Sequence, residues 1–275
     1  MQTTEQMLLI EAQHLHELRE QQLVEILDVR TGEEFASGHI GGAKHFSVYG
    51  INTYDTDEPP LASFVKMWAF QLSLRGLTAD QHIIMYDNTT GMCAARAFWF
   101  LEYLGHERVS VLNGGLESWT RCGFALERDA VAPKPTKYIY ERIHDRVATW
   151  RDVLEGIDDP NTIIIDTRRN AEYIGEECDT AECGTVPGAI HLEWLAHLAV
   201  DGRLKANDEL EALFRSNGIT PDKRIIAFCN TGYRSAHAYL ALRRLDYPDV
   251  RNYVGSWQEW GNRDGCPVVK PPART

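Results

Sequence analysis

The chain lacks any run of about 18 apolar residues, the length a membrane-spanning helix requires, so no such helix is expected. It also lacks a basic excess. Forty acidic against 28 basic residues leave a formal net charge of -12, which excludes a broad electrostatic footprint for nucleic acid or an anionic membrane. Any anion must therefore be bound locally. Cysteine is scarce: the six positions (Cys93, Cys122, Cys178, Cys183, Cys229, Cys266) show no paired CxxC spacing, which argues against a zinc ribbon or a dithiol redox motif, and the thiols are expected to be reduced. There is no HExxH, no GxxxxGK[ST] and no complete GxGxxG following a strand, which removes the zincin, P-loop and dinucleotide readings. The opening MQTTEQMLLIEAQHLHELRE has neither the basic start nor the continuous apolar stretch of a secretory signal, so the expected compartment is the cytoplasm. What remains is ordinary globular composition, 44% hydrophobic and 25% charged over 275 residues, enough for two domains of about 100–200 residues.

The chain repeats itself. EILDVR, ending at Arg30, returns as IIIDTR, ending at Arg168, and GHIGGA (Gly38 to Ala43) returns as GTVPGA (Gly184 to Ala189). GLTADQHIIMYD, ending at Asp87, is answered by GITPDKRIIAFC, ending at Cys229, and VLNGGLESW by NYVGSWQEW, ending at Trp119 and Trp260. Four landmarks in one order, displaced by about half the chain, indicate two copies of one domain. Residues 1–126 form the first copy, 139–275 the second, and the proline-bearing ERDAVAPKPTKY of residues 127–138 reads as the linker. Short β-rich runs alternate with helical patterns in each copy. That is the signature of an α/β domain with a mostly parallel sheet flanked by helices. Ala238, Leu242 and Leu245 mark the buried face of one helix, and the aromatic-rich AARAFWFLEYLGH predicts a buried counterpart in the first copy.

The sharpest local signal is IIAFCNTGYRSAHAYL, an apolar strand running into Cys229, a short loop, and a helix beginning near Arg234 and Ser235. A strand-loop-helix junction turns loop N–H groups inward and adds the positive end of a helix dipole, which stabilises an anion or a thiolate. A cysteine held so, with an arginine beside it, is an activated nucleophile. Gly232 suits a tight turn and Ser235 an N-cap. Asp87 stands at the position of Cys229 in the first copy and cannot form a sulfur intermediate. Cys93, inside the following helix, does not replace it.

With these residues the sequence resembles the rhodanese family, specifically the tandem-domain sulfurtransferases with a non-catalytic first domain and a catalytic second one. The resemblance implies two rhodanese-like domains and a Cys229 that accepts a sulfane sulfur as a persulfide and delivers it to a thiophilic acceptor, cyanide or a thiol such as thioredoxin. It implies no metal or organic cofactor. Asn230, Thr231, Gly232, Tyr233, Arg234 and Ser235 would surround the outer sulfur and the donor oxygens, with Arg168 a further donor-binding candidate unless it pairs with Asp166. Thiosulfate is the expected donor, because the first-copy stretch FSVYGINTYDTDEPPLASF has no histidine of the kind mercaptopyruvate enzymes carry there. 3-Mercaptopyruvate is the alternative. Glu172 occupies the place where thiosulfate enzymes commonly hold a donor-binding arginine. The C-x4-R spacing from Cys229 to Arg234 is one residue shorter than the phosphatase signature, which disfavours a rhodanese-fold phosphatase. A persulfide sensor or carrier that does not turn over a small donor would use the same cysteine.

Other candidates carry less. EECDTAECGT, an insertion absent from the first copy, holds Cys178 and Cys183, read as two free thiols on a solvated acidic loop in preference to a regulatory disulfide or a metal site with His191. His14 and His16 are two apart on a helix and point to different sides. Trp257 and Trp260 are expected in the core or at the pocket border.

Overall fold

The protein is described from a computed structural model, over residues 7–130 and 132–272. The first six residues of the opening segment lie outside the described residues. Among the described residues, ten strands form two five-stranded sheets. β1 (Leu9–Ile10), β2 (Glu25–Asp28), β3 (Lys44–His45), β4 (Ile83–Tyr86) and β5 (Val109–Leu112) make the first, in the order β1-β5-β4-β2-β3. β6 (Val147–Ala148), β7 (Thr162–Asp166), β8 (Ile190–His191), β9 (Arg224–Phe228) and β10 (Val250–Tyr253) make the second, in the order β6-β10-β9-β7-β8. Every pairing in both sheets is parallel. The two orders are one order offset by five strands, so the repeat seen in the sequence is a repeat of topology.

Parallel strands need crossover helices, and these cover both faces of each sheet, which is why the central strands are continuous apolar runs. Ile83, Ile84, Met85 and Tyr86 are all buried, as are Ile225 through Phe228. The helix Met92–Tyr103 is buried from Cys93 to Tyr103, as its aromatic content predicts, and Tyr233–Arg244 is buried from Ser235 to Leu242. Each large apolar side chain so covered contributes about 1.5–3 kcal/mol. Local signals set the helix starts: Thr31 and Glu34 close a capping box ahead of Gly32–Ser37, and Thr149 and Asp152 close another ahead of Trp150–Gly156.

The compact units are not contiguous in sequence. The first runs to Ile51, resumes at Val65–Ile143 and takes in Leu198–Leu204; the second comprises Asn52–Phe64, His144–His197 and the chain from Lys205 onward. Within the first, Thr90 N–H donates to the Gly202 carbonyl (2.8 Å) and Leu204 N–H to Asn113 Oδ1 (3.1 Å). Within the second, the carboxylate of Glu259, 2% exposed, accepts from Thr56 N–H (2.7 Å), Thr56 Oγ1 (2.8 Å) and Arg263 Nη2 (3.2 Å). Among the described residues no helix is long and apolar enough to cross a membrane.

Candidate active site around Cys229

β9 delivers Cys229 to the C-terminal edge of the second sheet, where a parallel α/β fold opens its ligand crevice. The backbone beyond it is clamped. Cys229 N–H donates to Ser256 Oγ (3.1 Å), and Trp257 N–H and Gln258 N–H donate to the carbonyls of Cys229 (3.0 Å) and Asn230 (3.1 Å). Gly232, at φ +83°, turns the chain in the left-handed region and caps the helix Tyr233–Arg244. It takes the N-cap position that the sequence assigns to Ser235. Ser235 lies one turn further in, buried, because its hydroxyl bonds Asn252 Oδ1 (2.7 Å), while Asn252 Nδ2 donates to the Gly232 carbonyl (3.1 Å).

These elements aim donors at one atom. Cys229 Sγ receives Gly232 N–H at 3.0 Å and has the hydroxyls of Ser235 and Ser256 at 3.6 and 4.0 Å. The cysteine is 1% exposed. Burial pushes its pKa up, but the charge of Arg234, the N–H and hydroxyl of Ser235 and the N–H of Thr231 together outweigh burial, leaving the thiol below its ordinary value. A cradle of N–H groups at a helix start thus holds a sulfur biased toward thiolate.

Arg234 acts at one remove. Its guanidinium makes a two-pronged pair with Glu172, Nη1 to Oε2 at 2.6 Å and Nη2 to Oε1 at 2.8 Å. Glu172 also accepts from Arg169 N–H and Nε, both at 3.1 Å. Burial raises the Glu172 carboxyl, but Arg234 and Arg169 more than reverse this and hold it down at about 2. Arg168, a donor-binding candidate from sequence, makes the pair with Asp166 that the sequence left as its alternative, and it also borders the cavity described below. Its guanidinium is 2% exposed, bonds Asp166 (Nη2 to Oδ2, 2.6 Å) and the Gly184 carbonyl (2.6 Å), and lies 4.2 Å over the Trp257 ring. Arg30 repeats the arrangement in the first unit with Asp28 and the Gly38 carbonyl. Asp-x-Arg is therefore the device that ties a strand end to the following loop. Trp257 fills both expected places, buried against Phe228 and on the pocket wall; Trp260 is core.

Beside the cradle lies a cavity of about 490 Å³, walled by Arg168, Arg169, Glu172, Glu176, Glu177, Cys178, Asp179, Asn230 and Trp257. The insertion forms one side, with Asn230 Nδ2 donating to Asp179 Oδ2 (3.3 Å). Cys178 and Cys183 are not the two free thiols expected. They are joined as a disulfide, because the tight loop brings their Cα atoms to 5.6 Å, within bridging range. Among the described residues no group of three or more His, Cys, Asp or Glu is arranged to hold a metal.

The equivalent place in the first unit is occupied by Asp87. Its carboxylate accepts from the N–H groups of Gly91 (3.0 Å), Cys93 (3.2 Å) and Ala94 (3.1 Å). Gly91 and Ala94 stand where the second unit has Gly232 and Ser235, and one extra residue lengthens the first loop. Ser256, which sequence reasoning missed, corresponds to Gly115. Both sit in the left-handed region, at φ +53° and +55°, which is uncommon for serine. The detectable signal was the serine-for-glycine difference between VGSW and NGGL.

A family profile for the rhodanese-like domain matches residues 11–122 and 149–263. The chain belongs to the rhodanese family. It is 34% identical over 244 residues to the 3-mercaptopyruvate sulfurtransferase of Escherichia coli strain K12, covering 88% of this chain and 86% of that one. It is 32% identical over 247 residues to a thiosulfate sulfurtransferase of Pseudomonas aeruginosa, covering 88% and 90%. A solved structure of an anaerobic ergothioneine biosynthesis enzyme from Chlorobium limicola, with trimethyl histidine bound, matches this rhodanese chain with a TM-score of 0.87 at 23% identity, over 96% of this chain and 71% of that one. At that identity the likeness is one of fold.

Proposed function

We propose that this rhodanese-family protein is a sulfurtransferase whose Cys229 carries the sulfur. The Cys229 thiolate attacks the outer sulfur of thiosulfate, a new S–S bond forms, the donor's S–S bond breaks, and sulfite leaves with the bonding pair. A cyanide or thiolate acceptor then attacks the outer sulfur of the persulfide and returns the Cys229 thiolate. Two half-reactions through one covalent intermediate give ping-pong kinetics. The observation that carries the proposal is the buried Cys229 sulfur at a helix start, 3.0 Å from the Gly232 N–H and bordered by the Ser235 and Ser256 hydroxyls at 3.6 and 4.0 Å. Names among the relatives, two sulfurtransferases of different donors, support the same chemistry and leave 3-mercaptopyruvate as the competing donor.

Intact mass tests it. The protein is weighed before and after thiosulfate, then after cyanide, with Cys229→Ser alongside and 3-mercaptopyruvate as a second donor. A gain of one sulfur atom that cyanide removes and the variant never shows is the expected result. A gain from 3-mercaptopyruvate alone keeps the carrier and changes the donor. No gain from either, with phosphatase activity in its place, overturns the reading.

A further inference from the structure

All the guanidinium groups around the Cys229 pocket are engaged by carboxylates. Arg168 is held by Asp166, Arg169 by Glu172 and Glu177 (Nη2 to Glu177 Oε2, 2.5 Å), and Arg234 by both oxygens of Glu172. Glu176 and Asp179 add two more carboxylates to the same wall. A substrate entering this cavity meets more acidic groups than basic ones, and the one arginine whose field reaches the sulfur has its donor edge closed. The pairing belongs to this site. In the first unit the corresponding Glu34 takes Asn88 Nδ2 (2.6 Å), a neutral amide, and caps its helix with Thr31 as Glu172 does with Arg169 N–H. Capping explains a glutamate at this position in both units; it does not explain the two-pronged grip on Arg234.

We infer that Glu172 is a specificity-determining residue of the Cys229 site, withholding Arg234 and Arg169 from anionic ligands and fitting the pocket to sulfur acceptors of neutral or positive charge. The inference rests on Cys229 as the sulfur carrier. It also makes thiosulfate, a dianion, a donor that loads against the charge of the wall, bound through the loop N–H groups alone. Closing two guanidinium groups with one carboxylate costs the enzyme affinity for anions and leaves an acceptor such as an aminothiol attracted by Glu176, Glu177 and Asp179.

The test uses the full-length protein loaded with a persulfide by incubation with thiosulfate, with loading read by intact mass. Discharge is then timed with cysteamine, 2-mercaptoethanol and 3-mercaptopropionate, thiols of similar size and of positive, zero and negative charge, each rate corrected for thiolate fraction and nucleophilicity. The unaltered protein is expected to favour the cation over the anion by about tenfold, the two tails differing by two unit charges across a pocket under protein-surface screening. That ratio should shrink as salt is raised to about 0.5 M. Glu172→Gln keeps a capping side chain and is expected to bring the ratio near one and to raise thiosulfate loading (kcat/KM) about tenfold. It should also move the pH profile of Cys229 alkylation by iodoacetamide to lower pH, a change that a merely structural role would not produce. A persulfide that loads but discharges to all three thiols at equal rates in the unaltered protein overturns the inference alone. An unchanged ratio in Glu172→Gln does the same. Failure of any donor to load sulfur overturns the carrier reading and this inference with it.

Discussion

At the end of the same strand in two sheets of one topology, the chain places a carboxylate in one unit and a thiol in the other, and surrounds both with N–H groups from a helix start. Asp87 takes three such N–H groups and Cys229 takes Gly232 N–H with two hydroxyls near. The difference teaches that the cradle and the chemistry are separable. The loop holds an anion in either unit; sulfur chemistry needs a polarisable nucleophile there, a cation acting on it and an open wall beside it. The first unit keeps a cavity at the corresponding place, about 310 Å³ beside Arg30, Glu34 and Leu116, but has neither the nucleophile nor the cation: Cys93 stands where the second has Arg234, and burial together with the Asp87 charge pushes the Cys93 thiol up to about 12. Burial pushes Asp87 itself up to about 6, against the pull of the N–H groups. Even a well-bonded anion is expensive in that position.

The comparison breaks most visibly if the nucleophile is exchanged. Cys229→Ser is expected to lower sulfur transfer at least about a thousandfold with the melting temperature unchanged, measured by cyanide-dependent turnover and thermal unfolding. Retained turnover would move the chemistry elsewhere in the chain. Next in size is the burden of Asp87. Its folded pKa near 6 lies above the ordinary carboxylate value, so its stabilising contribution is complete below about pH 4 and is lost as pH rises through 6, about 2–3 kcal/mol in all. Denaturant unfolding at a series of pH values should show that slope, and Asp87→Asn should flatten it. Arg234→Ala removes the cation acting on the sulfur. The alkylation pH profile of Cys229 should shift upward, with less thiolate near neutrality. The smallest effect is Ser256→Gly, which copies Gly115: relief of the left-handed serine offsets about 1 kcal/mol of lost bonding to Cys229 N–H, so stability should change little while loading slows.

Much of this was legible without coordinates, for reasons that are local. Repeats, strand ends and apolar periodicity are written in neighbouring residues, so the doubled α/β topology, the buried helix after Asp87 and the placement of Cys229 at a strand-loop-helix junction could be read directly. The loop's N-cap was misassigned because Ser235 and Gly232 are both good cap residues, and only the partner Asn252 decides between them. Glu172 against Arg234, Arg168 against Gly184 and the union of Cys178 with Cys183 depend on where a loop folds back. Spacing carries no record of that. Ser256 was hidden for another reason: its significance lies in a backbone angle, which a serine in a sequence does not announce.

The exchange of segments between the compact units has a consequence for how the molecule can be taken apart. A cut within residues 127–138 leaves an amino-terminal half without the Gly202 carbonyl that Thr90 N–H requires, and a carboxy-terminal half without the Thr56 donors that satisfy the buried Glu259. Each half would lose hydrogen bonds that the intact chain makes. Duplication here has ceased to be a matter of two modules in series. Each compact unit draws a segment from the other half of the sequence, so dividing the chain within residues 127–138 does not yield the two units.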